Sequence, residues 1–310
     1  MSDERILLTG ASGFVGRHLL HDLTARGYRV RTAGRGAAPA LPGVEHVAIG
    51  DLGGPTDWRP ILDGVDHVVH GAGLAHAGGD IPEARYRAVN TDATLALARA
   101  AQAAGVRRLV FLSSIRAQSG PIAARALSEA DPPAPTDAYG RSKLAAERGL
   151  AELDLDWVAL RPVLVYGPGV KANMAALARL ARLPLPLPFG ALSAKRSLLA
   201  IENLSEAVAF ALSEACPPRR AYIVADPEPL SVAEMLAAMR AGLGRGPGLI
   251  AVPPPLLAAA ARLAGREGAY ERLANGLVAS PAALISAGWR PPAQTKAALA
   301  QLAASPADAG

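Results

Sequence analysis

A short apolar segment followed at once by evenly spaced glycines is the feature that most restricts how this chain can fold. Residues 5–9 read as a strand, leucines three and four apart then predict a helix, and residues 28–32 read as a second strand. Glycines in the intervening loop allow a tight turn, a close approach to pyrophosphate and close helix packing. The helix also presents unpaired N–H groups to phosphate oxygens. We therefore predict dinucleotide contacts from the loop and the first helical turn: Gly10, Ser12, Gly13, Phe14, Val15 and Gly16.

Strands and helices continue to alternate over the first half of the chain. Strand-like runs occupy residues 44–49, 66–70, 107–112 and 156–160, and a long alanine-rich helical pattern lies within residues 81–104. Strands that alternate with helices of this length are typical of a parallel sheet covered on both faces. The pattern predicts an α/β fold with a Rossmann-type doubly wound parallel sheet.

The pattern changes after residue 165. Proline-rich stretches and short helical patterns follow, with one late strand-like run at residues 222–225. We predict a dinucleotide-binding domain at residues 1–165, and a smaller mixed portion at residues 166–310 that binds the substrate and is interleaved with the first.

Composition argues against several classes of protein. Cys216 is the only cysteine, so neither an intramolecular disulfide nor a multi-cysteine metal site can form, and the six histidines show no metal-ligand pattern. The formal charge is +5, and no basic block interleaved with aromatics indicates nucleic-acid binding. No apolar run reaches membrane-spanning length, and the first residues do not resemble a secretory signal. We expect a soluble, cytoplasmic protein that binds small molecules.

The residues that follow the strands indicate where ligands bind. In an open parallel sheet the carboxyl ends of the strands form the ligand crevice. Ala72 and Gly73 follow the fourth strand, where small residues let a flat cofactor approach, and Ser113 and Ser114 follow the fifth. Either serine could instead satisfy backbone groups at the end of the strand.

The end of the second strand bears on the choice of cofactor. An acidic residue there would bind the hydroxyls of the adenosine ribose, whereas an arginine would accept a 2′-phosphate. The sequence has Gly34 and Arg35 at this point, with Arg31 nearby and no acid. NADP is therefore preferred to NAD, although both arginines could be ordinary surface charges.

Tyr139 and Lys143 are four residues apart on a predicted helix, and this spacing places them on one face. A lysine cation beside a phenol favours the phenolate, so we expect a lowered pKa of Tyr139 and proton exchange near neutral pH. Such chemistry suits a carbonyl/alcohol redox step. The spacing alone favours a half-buried aromatic and a solvated lysine, and it is the other motifs that favour the proton-transfer site.

Taken together, these motifs resemble those of the extended short-chain dehydrogenase/reductase family. The matching positions are the glycine loop, Asp51, Leu52, Asn90, Ser114, Tyr139 and Lys143, followed by residues 160–169 and 196–204. The resemblance covers nearly the whole chain and is firmest over residues 5–204. Within the family, the sequence is similar to the nucleotide-sugar branch of 4-epimerases, dehydratases and 4-ketoreductases.

The resemblance implies catalytic roles for three residues. Tyr139 would be the acid/base at the C4 oxygen of the sugar, and Lys143 would lower its pKa and bind the nicotinamide ribose. Ser114 would hydrogen-bond the same oxygen. Hydride would pass between the nicotinamide and the substrate carbon, because the protein has no redox group of its own.

The resemblance also implies binding roles. Arg196 would bind the diphosphate of the substrate, because a guanidinium fork suits that group, and Asn173 would lie beside the nucleotide sugar. A surface arginine and a helix cap are the alternatives. For Asn90 a buried amide or a cap is the alternative to support of the active-site helix or a proton relay. The implied cofactor contacts beyond the glycine loop are Arg35, Asp51, Leu52, Ala72, Gly73, Asn90, Tyr139, Lys143 and Pro162.

Three departures from the family pattern bear on the reaction. Leu164 stands where many epimerases have an asparagine, and Gly34 replaces the acid that favours tightly held NAD. Ser114 is followed by Ile115 and Arg116 rather than by the dehydratase triplet. We therefore expect 4-keto reduction slightly ahead of 4-epimerisation. Reduction or dehydrogenation of an apolar ketone or alcohol, and a non-catalytic NADP-binding regulator, are the alternatives. A homodimer could form through the helix after Arg85 and the helix of Tyr139.

Overall fold

The computed structural model describes residues 4–36, 41–75 and 81–305. A seven-stranded sheet lies at its centre, formed by β1 (Arg5–Thr9), β2 (Arg29–Gly34), β3 (Glu45–Ala48), β4 (His67–His70), β5 (Arg108–Leu112), β6 (Trp157–Pro162) and β10 (Arg220–Val224). All neighbouring strands are parallel, in the order β10-β6-β5-β4-β1-β2-β3. This confirms the Rossmann-type doubly wound sheet that the alternating pattern predicts.

Shorter strands pair in two small sheets outside the centre, β7 (Leu164–Tyr166) with β9 (Leu198–Ala200) and β8 (Lys195–Arg196) with β11 (Leu230–Ser231). The α-helices of the described residues are α1 (Phe14–Ala25), α2 (Glu83–Tyr86), α3 (Ala93–Ala103), α4 (Ala138–Ala151), α5 (Ala172–Arg182), α6 (Ile201–Leu212), α7 (Val232–Gly242), α8 (Pro254–Leu263), α9 (Glu267–Ala274), α10 (Ala282–Ala287) and α11 (Thr295–Ala304). A π-helical segment, Arg87–Asp92, joins α2 to α3, and a 3₁₀ turn, Ile115–Ala117, follows β5.

Successive residues of the central strands pack on opposite faces of the sheet, as the period of a strand requires. Leu8 of β1 belongs to an apolar cluster that contains Leu19 of α1 and Leu204 of α6. Its neighbour Leu7 packs on the other face, in a cluster that contains Leu97 of α3. Because helices cover both faces, the carboxyl ends of the strands are the edge at which a ligand can bind.

The C-terminal half of the chain completes the central sheet and also builds a core of its own. β10 pairs in parallel with β6, which confirms the late strand predicted at residues 222–225 and adds it to the main sheet. A separate apolar cluster joins β9, α5, α7 and α11 through Leu198, Leu177, Leu236 and Leu299. The division of the chain at residue 165 stays a prediction.

Helix length and exposed apolar side chains bear on whether the protein crosses a membrane and where it could dimerise. Within the described ranges, no helix has both the length and the apolar character needed to cross a bilayer. None of the large apolar side chains that the structure describes as exposed lies on α3 or α4; they are Ile122, Leu164, Leu183, Leu185, Ile250, Leu256 and Leu263. A homodimer through these two helices stays a prediction.

Candidate active site

The glycine loop adopts the shape that its spacing predicts. Gly10 follows β1 with φ of +81°, and a methyl group there would lie 2.7 Å from the Ala72 nitrogen and 2.8 Å from the Gly71 oxygen. A methyl group at Gly16 would overlap the carbonyl oxygen of Gly10, so α1 packs directly against the loop. Gly13 precedes α1 and has no side chain to cap it, which leaves the first N–H groups of the helix open to a phosphate.

The loop forms one wall of a cavity of about 220 Å³ at the carboxyl ends of the strands. Of the residues predicted to contact the cofactor, it is lined by Gly10, Ser12, Gly13, Arg35, Asp51, Leu52, Ala72 and Gly73. Its backbone cradle, open helix end and flanking arginines suit the phosphates of a dinucleotide. When bound there, NAD(P) supplies or accepts the hydride.

Several predicted contacts lie elsewhere. Phe14 is half-buried with its ring centre 5.3 Å from that of His18, and Val15 packs on the apolar core. Gly16 acts through packing, and Pro162 lines a second cavity described below. The structure corrects the expectation that Arg31 is near the cofactor. Its guanidinium is buried and donates to the carbonyl oxygens of Ile61 and Asp63 at 2.6 and 2.9 Å.

Arg85 also lines this cavity, although no local sequence pattern indicates it. Its Nη2 lies 2.6 Å from Oδ2 of Asp51, and Nη1 of Arg35 lies 3.6 Å from the same oxygen. The hydrogen bond from Arg85 is the main reason that the pKa of Asp51 lies below its usual value. Asp51 therefore pairs closely with Arg85 and lies near Arg35 on the wall of this cavity.

Replacing Gly16 with alanine should lower the free energy of unfolding by about 1–3 kcal/mol, because the methyl group forces α1 away from the glycine loop. Urea unfolding measures this change. Gly50→Ala is the matched control, since Gly50 is exposed and a methyl group there meets nothing within 4 Å. Equal stabilities of the two variants would contradict the close packing of α1 on the loop.

The helix that carries Tyr139 and Lys143 begins where the sequence predicts. Asp137 caps α4 by accepting a hydrogen bond of 2.7 Å from the Gly140 nitrogen, and it also pairs with Arg116. The hydroxyls of Tyr139 and Ser114 are hydrogen-bonded to each other. Tyr139 and Ser114 thus form a hydroxyl pair at the end of β5.

The pKa of Tyr139 differs from the expectation. Burial raises it, and the hydrogen bond with Ser114 only partly offsets that effect. Lys143 does not lower it, because Nζ donates to the Leu112 carbonyl oxygen at 2.9 Å and lies 4.6 Å from the centre of the Phe111 ring. Burial also lowers the pKa of Lys143, to about 8. Tyr139 is therefore a protonated phenol at neutral pH and not the phenolate that the sequence predicts.

Asn90 lies behind the cofactor cavity, in the π-helical segment. Its amide donates to the Leu74 oxygen at 2.9 Å and to Oγ of Ser142 at 3.0 Å, and its oxygen accepts from the Leu74 nitrogen at 2.7 Å. These bonds join the loop after Gly73 to α4. Of the roles that the sequence leaves open for Asn90, these contacts favour support of the active-site helix.

A second cavity of about 550 Å³ brings together the residues predicted to face the substrate. The predicted members of its lining are Ser114, Tyr139, Pro162, Asn173 and Arg196. Asn173 does not cap α5, since Lys171 is the residue that precedes that helix. Two further arginines line it, Arg116 and Arg272: Arg116 follows Ser114 by two residues, whereas only folding brings Arg272 here.

Arg196 is partly used by the protein itself. Its Nη2 donates to the carbonyl oxygens of Leu273, at 3.0 Å, and Asn275, at the end of α9. Burial lowers its pKa, and its buried Nε has no partner among the described residues. The guanidinium thus anchors α9 and keeps donor capacity for a ligand.

The fold, the glycine cradle and the paired hydroxyls define an NAD(P)-dependent enzyme of the short-chain dehydrogenase/reductase type. The chain belongs to the NAD dependent epimerase/dehydratase family, whose model matches residues 6–225. The motifs of the first two hundred residues indicated the extended branch of these enzymes, and this match confirms it.

Individual relatives agree with this placement. The chain is 36% identical over 298 residues to UDP-glucose 4-epimerase of Vibrio cholerae, covering 93% of this chain and 90% of the relative. It is 32% identical over 256 residues to 2-alkyl-3-oxoalkanoate reductase of Stenotrophomonas maltophilia, covering 77% and 76%. The structure of Thermus thermophilus UDP-glucose 4-epimerase in complex with NAD matches with a TM-score of 0.74 at 27% identity, over 96% of this chain and 97% of that one.

Proposed function

We propose that this protein transfers a hydride at C4 of a nucleotide-linked sugar and that it reduces a 4-keto sugar with NADPH. The observation that supports this most directly is the hydrogen-bonded hydroxyl pair of Tyr139 and Ser114 on the wall of the larger cavity. A carbonyl oxygen placed between these hydroxyls would accept hydrogen bonds from both. Such donors stabilise the negative charge that develops on oxygen as hydride reaches the carbon.

The protonation state of Tyr139 suits reduction. Because burial raises its pKa, the phenol carries its proton at neutral pH and can donate it to the alkoxide that forms. Ser114 orients that hydroxyl, and Lys143, held by the Leu112 carbonyl, lies beside Gly73. In the reverse direction Tyr139 would first have to release a proton, which its burial disfavours.

The larger cavity also suits an anionic part of the substrate that stays attached during the reaction. Arg196 and Arg272 both line it, and Arg116 lies nearer to the hydroxyl pair. Guanidinium groups bind diphosphate oxygens through paired hydrogen bonds. A nucleoside diphosphate would therefore bind with its phosphates at these arginines and its sugar at Tyr139.

Epimerisation at C4 is the second candidate, and the Vibrio cholerae relative favours it. The test supplies UDP-glucose or UDP-galactose without added cofactor, and separately a UDP-4-keto sugar with NADPH. Consumption of NADPH supports reduction, whereas interconversion of the two sugars supports epimerisation. Mass spectrometry of ligands that co-purify identifies the cofactor and the nucleotide at the same time.

An apolar ketone is the remaining candidate substrate. Leu164 and Ile122, 42% and 52% exposed, face the larger cavity, and the Stenotrophomonas maltophilia relative is a 2-alkyl-3-oxoalkanoate reductase. Turnover of hydrophobic ketones without binding of UDP would replace the sugar proposal. Tight NADP binding with no hydride transfer to any of these substrates would indicate a regulator. Cytoplasmic localisation stays a prediction.

The preference for NADP rests on Arg35. Arg35→Ala should weaken NADPH binding about tenfold and leave NADH binding within about twofold, because one charged hydrogen bond to the 2′-phosphate is lost. Quenching of protein fluorescence by each cofactor measures both dissociation constants. Arg29→Ala, at the opposite end of β2, is the control and should change neither. An equal loss for NADH and NADPH would contradict the role of Arg35.

A further inference from the structure

α4 carries a further polar side chain, Glu147, in line with Tyr139 and Lys143. Glu147 follows Lys143 by four residues, so the three side chains lie along one face of the helix. The side chain of Glu147 is 5% exposed and that of its partner Arg161 is 7% exposed. Nε of Arg161 lies 3.0 and 3.2 Å from the two carboxylate oxygens, and Nη2 makes a further bond. A buried, bidentate ion pair thus joins α4 to β6.

Three successive turns of α4 are fastened to three successive residues at the end of β5. Each turn contributes one polar side chain of the same helix face, and each bonds a different residue of the strand end. The pairs are Tyr139 with the Ser114 hydroxyl, Lys143 with the Leu112 carbonyl oxygen and Glu147 with the Ser113 hydroxyl. A shift of α4 along the strand by a single residue would break all three bonds.

The ion pair has the additional hydrogen bonds that a buried charge requires. Nη1 of Arg161 donates to the side-chain oxygen of Gln118, whose Nε2 donates to the Asp131 carbonyl oxygen at 2.6 Å. Even so, a buried ion pair contributes little net stability compared with apolar residues of the same volume. Its position directly behind Lys143 offers a functional reason for placing a carboxylate here.

We propose that Glu147 is a positioning residue: it keeps Tyr139 and Lys143 in register with the end of β5 and places a buried negative charge one helical turn beyond Lys143. The link to catalysis rests on the proposed hydride transfer. The effect of Glu147 on the pKa of Lys143 is independent of that function, because it is a property of the protein without substrate.

The other charges around Lys143 do not take this role. His70 of β4 is buried and neutral, since burial and the Lys143 cation lower its pKa to about 3. Burial lowers the pKa of Lys143, and the carboxylate of Glu147 opposes that effect. The carboxylates on the elements packed against α4 are each paired with an arginine: Asp137 with Arg116, Glu83 with Arg141 and Asp92 with Arg87.

Two variants separate this charge effect from a purely structural role. Glu147→Gln and Arg161→Gln break the same ion pair, so both should destabilise the protein. Only Glu147→Gln removes a negative charge from the surroundings of Lys143. We expect the pKa of Lys143 to fall by about one unit or more in Glu147→Gln, and not to fall in Arg161→Gln.

The pKa can be read directly by NMR. The chain has four lysines, Lys143, Lys171, Lys195 and Lys296, so protein labelled with ¹³C at the lysine ε-carbon gives few signals. Because burial lowers the pKa of Lys143 to about 8, we expect its signal to titrate well below those of the other three lysines. Loss of this signal in Lys143→Arg assigns it. An unchanged titration in Glu147→Gln, or an equal fall in both variants, would overturn the proposal.

If Glu147→Gln does not fold, the double variant Glu147→Gln/Arg161→Met keeps the test available, because it leaves no unpaired buried charge. Its Lys143 should still titrate below the parent value, and a return to that value would overturn the proposal. In the catalytic arm, Glu147→Gln should lower kcat at pH 7.5 at least tenfold. A shifted Lys143 in a protein inactive on all sugars would refute the proposed function and still support the assignment of Glu147.

Discussion

Tyr139→Phe should lower kcat by about 10²–10⁴-fold and leave the binding of NAD(P) nearly unchanged. The change removes one hydroxyl, the proton donor, and general acid–base catalysis contributes about that factor. The ring itself remains, so its edge-on packing against Tyr86, at 6.3 Å between ring centres, is kept. Steady-state kinetics and a fluorescence titration with NADPH measure the two quantities.

Tyr86→Phe is the matched control for this prediction. Tyr86 is buried beside Tyr139 but is absent from the lining of both cavities, so its hydroxyl cannot reach a substrate there. We expect its kcat to stay within about threefold of the parent. Full activity in Tyr139→Phe would refute the proton-transfer role, whereas equal losses in both variants would point to disturbed packing.

Local patterns were sufficient to predict the fold and to bring the candidate catalytic residues to one edge of the sheet. The glycine loop works through contacts within a few residues, since Gly16 packs on Gly10 and the open N-terminus of α1 begins just after Gly13. The spacing of Tyr139 and Lys143 fixes their common helix face without any tertiary information. The ends of parallel strands then bring Ser114 to the same edge of the sheet.

The parts that could not be predicted depend on contacts distant in sequence. Arg31 and Arg35 both lie near the end of the second strand. Arg31, however, donates to a carbonyl oxygen thirty residues away, and of the two only Arg35 lines the cofactor cavity. Arg85 joins Asp51 across a separation of thirty-four residues. No local pattern encodes either pairing.

The pKa of Tyr139 illustrates the same limit for electrostatics. Spacing places Lys143 one turn from Tyr139, but the direction of the side chain is set by the Leu112 carbonyl oxygen of β5. Burial then raises the pKa of Tyr139 and lowers that of Lys143. The helix face is a local property, whereas the charge on each group depends on the strand beneath it.

The stability of the protein should fall as the pH drops below 6.5, and His70 should account for about one bound proton of that fall. His70 is fully buried, and its pKa is lowered to about 3, mainly by burial. Between pH 6.5 and 3 the unfolded chain therefore binds a proton that the folded chain does not. The free energy of unfolding loses about 1.4 kcal/mol per pH unit from this group, or about 2 kcal/mol between pH 6.5 and 5.

The hydrogen bonds of His70 explain why the neutral ring is favoured. Thr94 donates to the Asn90 carbonyl oxygen at 2.8 Å, so it accepts from Nε2–H of His70 at 3.0 Å. Nδ1 is then the acceptor for the Thr9 hydroxyl at 2.7 Å, and that hydroxyl also accepts from the Ala72 nitrogen. A second ring proton would have to displace the Thr9 donor at the wall of the cofactor cavity.

Urea unfolding of the parent and of His70→Gln at pH 7.5, 6.5, 5.5 and 5.0 tests this account. The variant should be less stable at neutral pH, because the Thr9 and Thr94 bonds are disturbed, but its stability should fall less steeply below pH 6.5. His18→Gln is the control, since that ring lies on the exposed start of α1 and bonds the Pro168 carbonyl oxygen. A parental slope in His70→Gln would place the acid sensitivity elsewhere. His67, whose pKa burial also lowers, would be the next residue to replace.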